Sequence, residues 1–144
     1  MTRLLTLIAA TALLPAAAFA EGNAENGAKL FNKCQTCHVV VNPAGETLAG
    51  KAAKTGPNLF NVVGNAAGSV EGFKYGTGIS AAKGMGLVWD EANFVAYLAN
   101  PTAFLKEYTG DKGVRGNMSF QVKKAEEARD LHAFLLSLNP PKTN

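Results

Sequence analysis

The chain is poor in the residues that most cofactor chemistry draws on: two cysteines, two histidines, three methionines and one tryptophan in 144 residues. That scarcity excludes several readings. A structural zinc site takes four Cys or His ligands, and outside the segment Cys34 to His38 only His132 is left to supply one. A thioredoxin-like redox pair would sit in a βαβ pattern, whereas the sequence around Cys34 and Cys37 is helical and Gly-rich. A disulfide closing so short a loop would constrain little of the unfolded chain. Beyond residue 20 no apolar run is long enough to cross a bilayer. Charge is also nearly balanced, with 14 basic against 11 acidic residues. Nothing in that balance suggests nucleic acid as a partner.

What the chain does have is Cys34-Gln35-Thr36-Cys37-His38, which uses its whole supply of thiols. Two thiols three positions apart, followed at once by an imidazole, form the attachment signal for a c-type haem. Each thiol can add to one haem vinyl group, and a ring nitrogen of the adjacent histidine can ligate the iron.

The N-terminus reads as an export signal. Arg3 gives a positive start, Leu4 to Leu14 an apolar stretch, and Ala18-Phe19-Ala20 a small-residue cleavage site. Residues 1–20 are therefore expected to be cleaved, although the same pattern is compatible with a retained anchor. The remaining residues 21–144 fit one domain. Without Arg3 the charge falls to 13 basic against 11 acidic residues, and two haem propionates would bring it near neutrality. An exported product suits covalent haem attachment, and the periplasm is the expected compartment.

Helical periodicity predicts three main elements. Asn23 is placed to cap a first helix, with Ala24, Gly27, Ala28 and Phe31 on one face. Gly27 inside that helix predicts a close helix crossing. A second helix spans Glu91 to Ala99 behind Asp90, with Phe94, Tyr97 and Leu98 inward, and Asn100-Pro101 starts a short one. The last begins near Lys124, carries the stripe Leu131, Phe134, Leu135, Leu138, and stops at Asn139-Pro140-Pro141. Residues 39–56, 64–88 and 106–117 read as loops, and strand patterning is weak.

A second iron ligand opposite His38 has three candidates: Met85, Met118 and His132. Met118 is preferred because it lies immediately before the last helix, on a segment able to close over a haem face. Met85 lies in a flexible Gly-flanked run, and His132 is committed to a packed helix. A thioether ligand favours the reduced iron and raises the potential.

Taken together these residues resemble a class I cytochrome c, and within it the bacterial cytochrome c2 family with long loops. The resemblance covers nearly all of residues 21–144. It rests on Gly27 and Phe31, the haem motif, Thr55-Gly56-Pro57-Asn58-Leu59, Gly72-Phe73-Lys74-Tyr75, Trp89, Tyr97-Leu98-Ala99-Asn100-Pro101 and Met118, in that order. It implies an all-α fold of short helices and long loops wrapped around one covalent haem c. It further implies that the Pro57 carbonyl accepts a hydrogen bond from His38, that Tyr97 contacts the axial sulfur, and that Tyr75 and Trp89 donate to a buried propionate. The intervals from His38 to Pro57 and from Pro101 to Met118 are stretched relative to the short mitochondrial form.

The function this implies is one-electron transport by a monomer, not catalysis. Electrons would pass from a cytochrome bc1 complex to a photosynthetic reaction centre or terminal oxidase, docked through acidic surfaces facing Lys33, Lys51, Lys54, Lys112 and Lys123. The competing readings are a haem enzyme or gas-binding sensor, which needs an open iron position, and an electron-entry subunit of a larger oxidoreductase.

Overall fold

Asn23 opens the first helix as expected: its side-chain Oδ1 accepts the Asn26 N–H at 2.9 Å. The structure, a computed structural model, describes residues 21–139, so the export segment at 1–20 and the Pro140-Pro141 stop lie outside the described residues. Helix α1 (Ala24–Leu30) passes into a short 3-10 turn, Phe31–Lys33, that leads straight to Cys34. Helix α5 (Ala125–Ser137) crosses α1 at Gly27, where a Cβ would strike the Asp130 carbonyl and the Phe134 Cβ. A glycine in a helix interior costs about 1 kcal/mol relative to alanine; here it allows backbone to approach backbone. Phe31 packs on Phe134 with ring centroids 5.5 Å apart. Asp130 also accepts the Asn23 N–H at 2.7 Å, which ties the start of α1 to α5. Ala28 does not join this face. It is exposed, because a residue about 100° round from Gly27 falls outside so tight a crossing.

Two further helices share one residue between them. Asp90 caps α3 (Glu91–Ala99) through the Asn93 N–H at 2.8 Å, and Phe94 and Leu98 are buried against α5. Asn100 ends α3 and caps α4 (Pro101–Thr109) by accepting the Ala103 N–H at 3.1 Å, with Pro101 in the first turn.

The three expected loops each contain regular structure. Within 39–56, Val39–Val41 (β1) and Thr47–Gly50 (β2) form an antiparallel hairpin, irregular between Val40 and Val41. Three successive β-branched residues favour that extended pairing, and Gly45 takes the positive φ (82°) its turn requires. Within 64–88 lies α2 (Thr77–Gly84), followed by an antiparallel bridge between Ala66 and Val88. The third loop is shortened because α4 continues to Thr109, where Gly110 closes it in the left-handed conformation at φ 69°. The fold is thus helical, with one small hairpin among the described residues.

Two buried clusters result. Phe31, Val40, Phe94, Leu98, Val122, Ala128, Leu131 and Leu135 form the first, against which Cys34, Leu59, Tyr97 and Met118 pack. Ala67, Ala82, Leu87, Trp89, Leu105 and Val114 form the second. No helix among the described residues is long and apolar enough to cross a membrane.

Candidate cofactor site

The Cys34 to His38 segment is wound as a helical turn. The N–H of Cys37 reaches the Cys34 carbonyl at 3.1 Å and that of His38 reaches it at 2.9 Å. Cys34 is half-buried and Cys37 exposed. Burial pushes the Cys34 thiol up to about 11, with Cys37 adding to the rise and Lys33 opposing it.

A second segment, 56–59, is laid alongside residues 37–41 and joined to them by five hydrogen bonds. The Gly56 N–H donates to the Cys37 carbonyl at 2.7 Å, and the Leu59 N–H to the Val39 carbonyl at 2.9 Å. Asn58 binds both backbone groups of Val41, accepting its N–H at 2.9 Å and donating to its C=O at 2.8 Å. Between these, His38 Nδ1 lies 2.9 Å from the Pro57 carbonyl oxygen. A carbonyl can only accept, so the proton sits on Nδ1 and the lone pair is left on Nε2. Burial lowers the pKa of His38, and the bond to Pro57 opposes that shift. The ring is neutral at pH 7 and presents one nitrogen to a metal. Gly56 lies flush against this imidazole: a Cβ there would overlap the ring, 2.6 Å from Nδ1. Gly56 is visible in the sequence beside Pro57, but nothing local to it marks this requirement.

The three candidates for a second ligand occupy different environments. Met118 is half-buried and packs against the first cluster together with Cys34, Leu59 and Tyr97. Met85 is 57% exposed. His132 is buried edge-on to Phe94, ring centroids 5.5 Å apart, and its Nδ1 lies 3.8 Å from a Glu91 carboxylate oxygen. The Met118 segment is tethered on both sides. The Arg115 carbonyl accepts the Gly78 N–H at 3.2 Å, the Gly116 N–H donates to Thr102 Oγ1 at 3.1 Å, and the Val122 N–H to the Leu98 carbonyl at 2.8 Å.

The aromatic residues divide between the clusters. Trp89 is buried and Tyr97 half-buried, with ring centroids 4.8 Å apart. Burial pushes the Tyr97 phenol up to about 12. Tyr75 sits in the 68–83 region, edge-on to Phe73 with ring centroids 4.9 Å apart. Its hydroxyl oxygen accepts the Val70 N–H at 3.2 Å, which leaves the O–H free to donate.

Known proteins decide what this arrangement belongs to. Cytochrome c2 of Cereibacter sphaeroides is 54% identical over 132 residues, 91% of this chain and 90% of that one. The chain belongs to the cytochrome c2 family. Cytochrome c-550 of Paracoccus denitrificans is 44% identical over 137 residues, covering 94% of this chain and 86% of its own. In three dimensions the fold matches cytochrome c2 from Rhodobacter sphaeroides with a TM-score of 0.79 at 53% identity, over 81% of this chain and 96% of that structure. Cytochrome c2 isolated from Paracoccus denitrificans matches with a TM-score of 0.78 at 40% identity, over 83% of this chain and 98% of that structure. No family model matches the chain. The fold is that of a class I cytochrome c, and the protein is a c-type cytochrome that carries electrons on one covalently attached haem c. The residues present fit that group. Two thiols are spaced one helical turn apart, a neutral imidazole keeps a free nitrogen, and a glycine clears the face of its ring.

Proposed function

We propose that the chain is a periplasmic one-electron shuttle, with residues 1–20 removed on export and residues 21–144 forming a monomeric carrier. Cys34 and Cys37 would form the two thioethers, and His38 Nε2 and Met118 Sδ would hold the iron. When bound, haem supplies a ferric/ferrous couple. The chain's own task is to fix both ligands, keep water out and avoid any group that would start bond chemistry. The observation that carries this reading is the pairing of His38 Nδ1 with the Pro57 carbonyl, which commits one ring nitrogen to the protein and frees the other. Met118 is favoured as the opposing ligand by its packing in the first cluster, whereas Met85 points into solvent. An enzyme or sensor would want a distal acid–base residue, and the spare histidine, His132, is instead held between Phe94 and Glu91. Pro57 orients the imidazole; with haem bound, Tyr97 would contact the sulfur, and Tyr75 and Trp89 would donate to a propionate that is otherwise a costly unpaired charge.

Electrons arrive from a cytochrome bc1 complex and leave to a reaction centre or terminal oxidase. Lys33, Lys51, Lys54, Lys112 and Lys123 are all exposed and supply the positive rim for acidic partner surfaces. Stopped-flow oxidation by isolated acceptor complexes tests this. The second-order rate should fall steeply between low and high salt, and a salt-independent rate would contradict docking through that rim. High-spin ferric haem in the wild-type spectrum would instead favour the enzyme or sensor.

A further inference from the structure

We infer that Asn58 is a positioning residue for the redox centre, one that sets the reduction potential through the Pro57 carbonyl without touching the cofactor. The inference rests on His38 being an iron ligand.

The argument begins with what holds Pro57. Proline has no N–H, so its own backbone offers no donor to anchor it. Its carbonyl must nevertheless be aimed at His38 Nδ1, 2.9 Å away. The neighbouring residue supplies the anchorage. The Asn58 carboxamide pairs with the N–H and C=O of Val41 at 2.9 and 2.8 Å, as a strand neighbour would. Its oxygen also accepts the Phe60 N–H at 3.0 Å. Three bonds from one side chain therefore fix the peptide unit that follows Pro57, on the outer edge of β1. An asparagine uses both ends of its amide here, which neither an aspartate nor an aliphatic residue can do.

The consequence is electronic. A firm Nδ1–H···O=C bond pushes charge onto the imidazole and makes Nε2 a better donor, which stabilises the ferric iron. Loosening Pro57 weakens that bond and raises the potential.

The test compares holoprotein variants. Asn58→Ala removes all three bonds, while Asn58→Asp keeps both acceptor contacts and loses only the donor to Val41. Asn42→Ala is the control. Asn42 makes a comparable set of bonds in the hairpin turn, to the N–H groups of Ala44 and Glu46 and to the Glu46 carboxylate, but none near Pro57. The readouts are the potential from a redox titration and solvent exchange of the iron-shifted His38 Nδ1 proton by NMR. We expect Asn58→Ala to raise the potential and speed exchange roughly tenfold, the consequence of losing about one net hydrogen bond. Asn58→Asp should fall between it and wild type. Asn42→Ala should lower the melting temperature alone. Asn58 variants that, like Asn42→Ala, lose stability with unchanged potential and exchange would overturn the inference. Should Asn58→Ala fail to fold, Asn58→Asp against Asn42→Ala decides by the same criteria. An absence of any iron-shifted His38 proton in wild type would refute the ligand assignment instead, so the two failures are distinguishable.

Discussion

Cys34 and His38 rest on a core in which α1 crosses α5 backbone to backbone; Met118 packs its side chain on that same core, but the run leading to it, residues 114–116, rests on single side chains gathered from distant stretches. On the attachment side, Gly27 meets the Asp130 carbonyl, Phe31 meets Phe134, and segments 56–59 and 37–41 are joined bond by bond. On the other side, Ala67, Ala82, Leu87, Trp89, Leu105 and Val114 come from five separate segments. Three hydrogen bonds tether the run that contains Met118, two backbone to backbone at Arg115 and Val122 and one from the Gly116 N–H to the Thr102 side chain. Local stability follows the density of such contacts. The His38 side is therefore built to stay closed, and the Met118 side to open first.

Three substitutions probe that difference, from the largest effect downward. Leu105 is fully buried in the second core and touches the ground on which Gly116 and Gly78 sit. Leu105→Ala should cost about 2–5 kcal/mol. It should also detach the sulfur ligand at denaturant concentrations where the His38 Nδ1 proton is still protected. Simultaneous loss of both signals would mean that the two sides form one cooperative unit. Gly27→Ala attacks the other side, and forcing a Cβ into the α1–α5 crossing should cost about 1–3 kcal/mol. Its urea midpoint should fall with the sulfur and imidazole signals lost together, since the shared first core fails.

The smallest effect is a pH dependence between α3 and α5. His132 is buried, and burial holds its pKa below the ordinary value, with Glu91 and then Asp90 opposing the shift. Arg129 also reaches this face, its Nε 3.7 Å from Glu91. A histidine depressed in the folded state takes up its proton more readily when unfolded. Stability is then full above the unfolded pKa and is lost as pH falls from there through the folded one. Urea unfolding from about pH 7 to about pH 5 should show a decline that His132→Gln flattens. An identical slope in both proteins would remove His132 from the account.

The same contrast explains what was legible in the sequence. The first core was readable because its elements announce themselves locally. Asn23, Asp90 and Asn100 are capping residues, the Leu131 to Leu138 stripe has helical period, and a glycine inside α1 demands a close neighbour. The second core gave no such signal. Helix α2 buries only Gly78 and Ala82, so its hydrophobic face is too small to register in the sequence, and its formation depends on Arg115 and Leu105. The hairpin is hard to read for another reason: Val39-Val40-Val41 favours an extended strand, but it is only three residues long and paired across an irregularity. Gly110 closes α4 in the left-handed conformation a C-cap favours, four residues beyond the start of the loop expected over 106–117. At the site, the haem motif was complete within five residues. The constraint on Gly56 was not, because it arises from the imidazole of a residue eighteen positions away.

The central claim is that the iron is held between His38 and Met118, so that the protein moves an electron and performs no bond chemistry. The far-red charge-transfer band between methionine sulfur and ferric iron tests it directly. The band should be present in the oxidised wild type, persist in Met85→Ala and vanish in Met118→Ala. Its loss in Met85→Ala and retention in Met118→Ala would contradict the assignment.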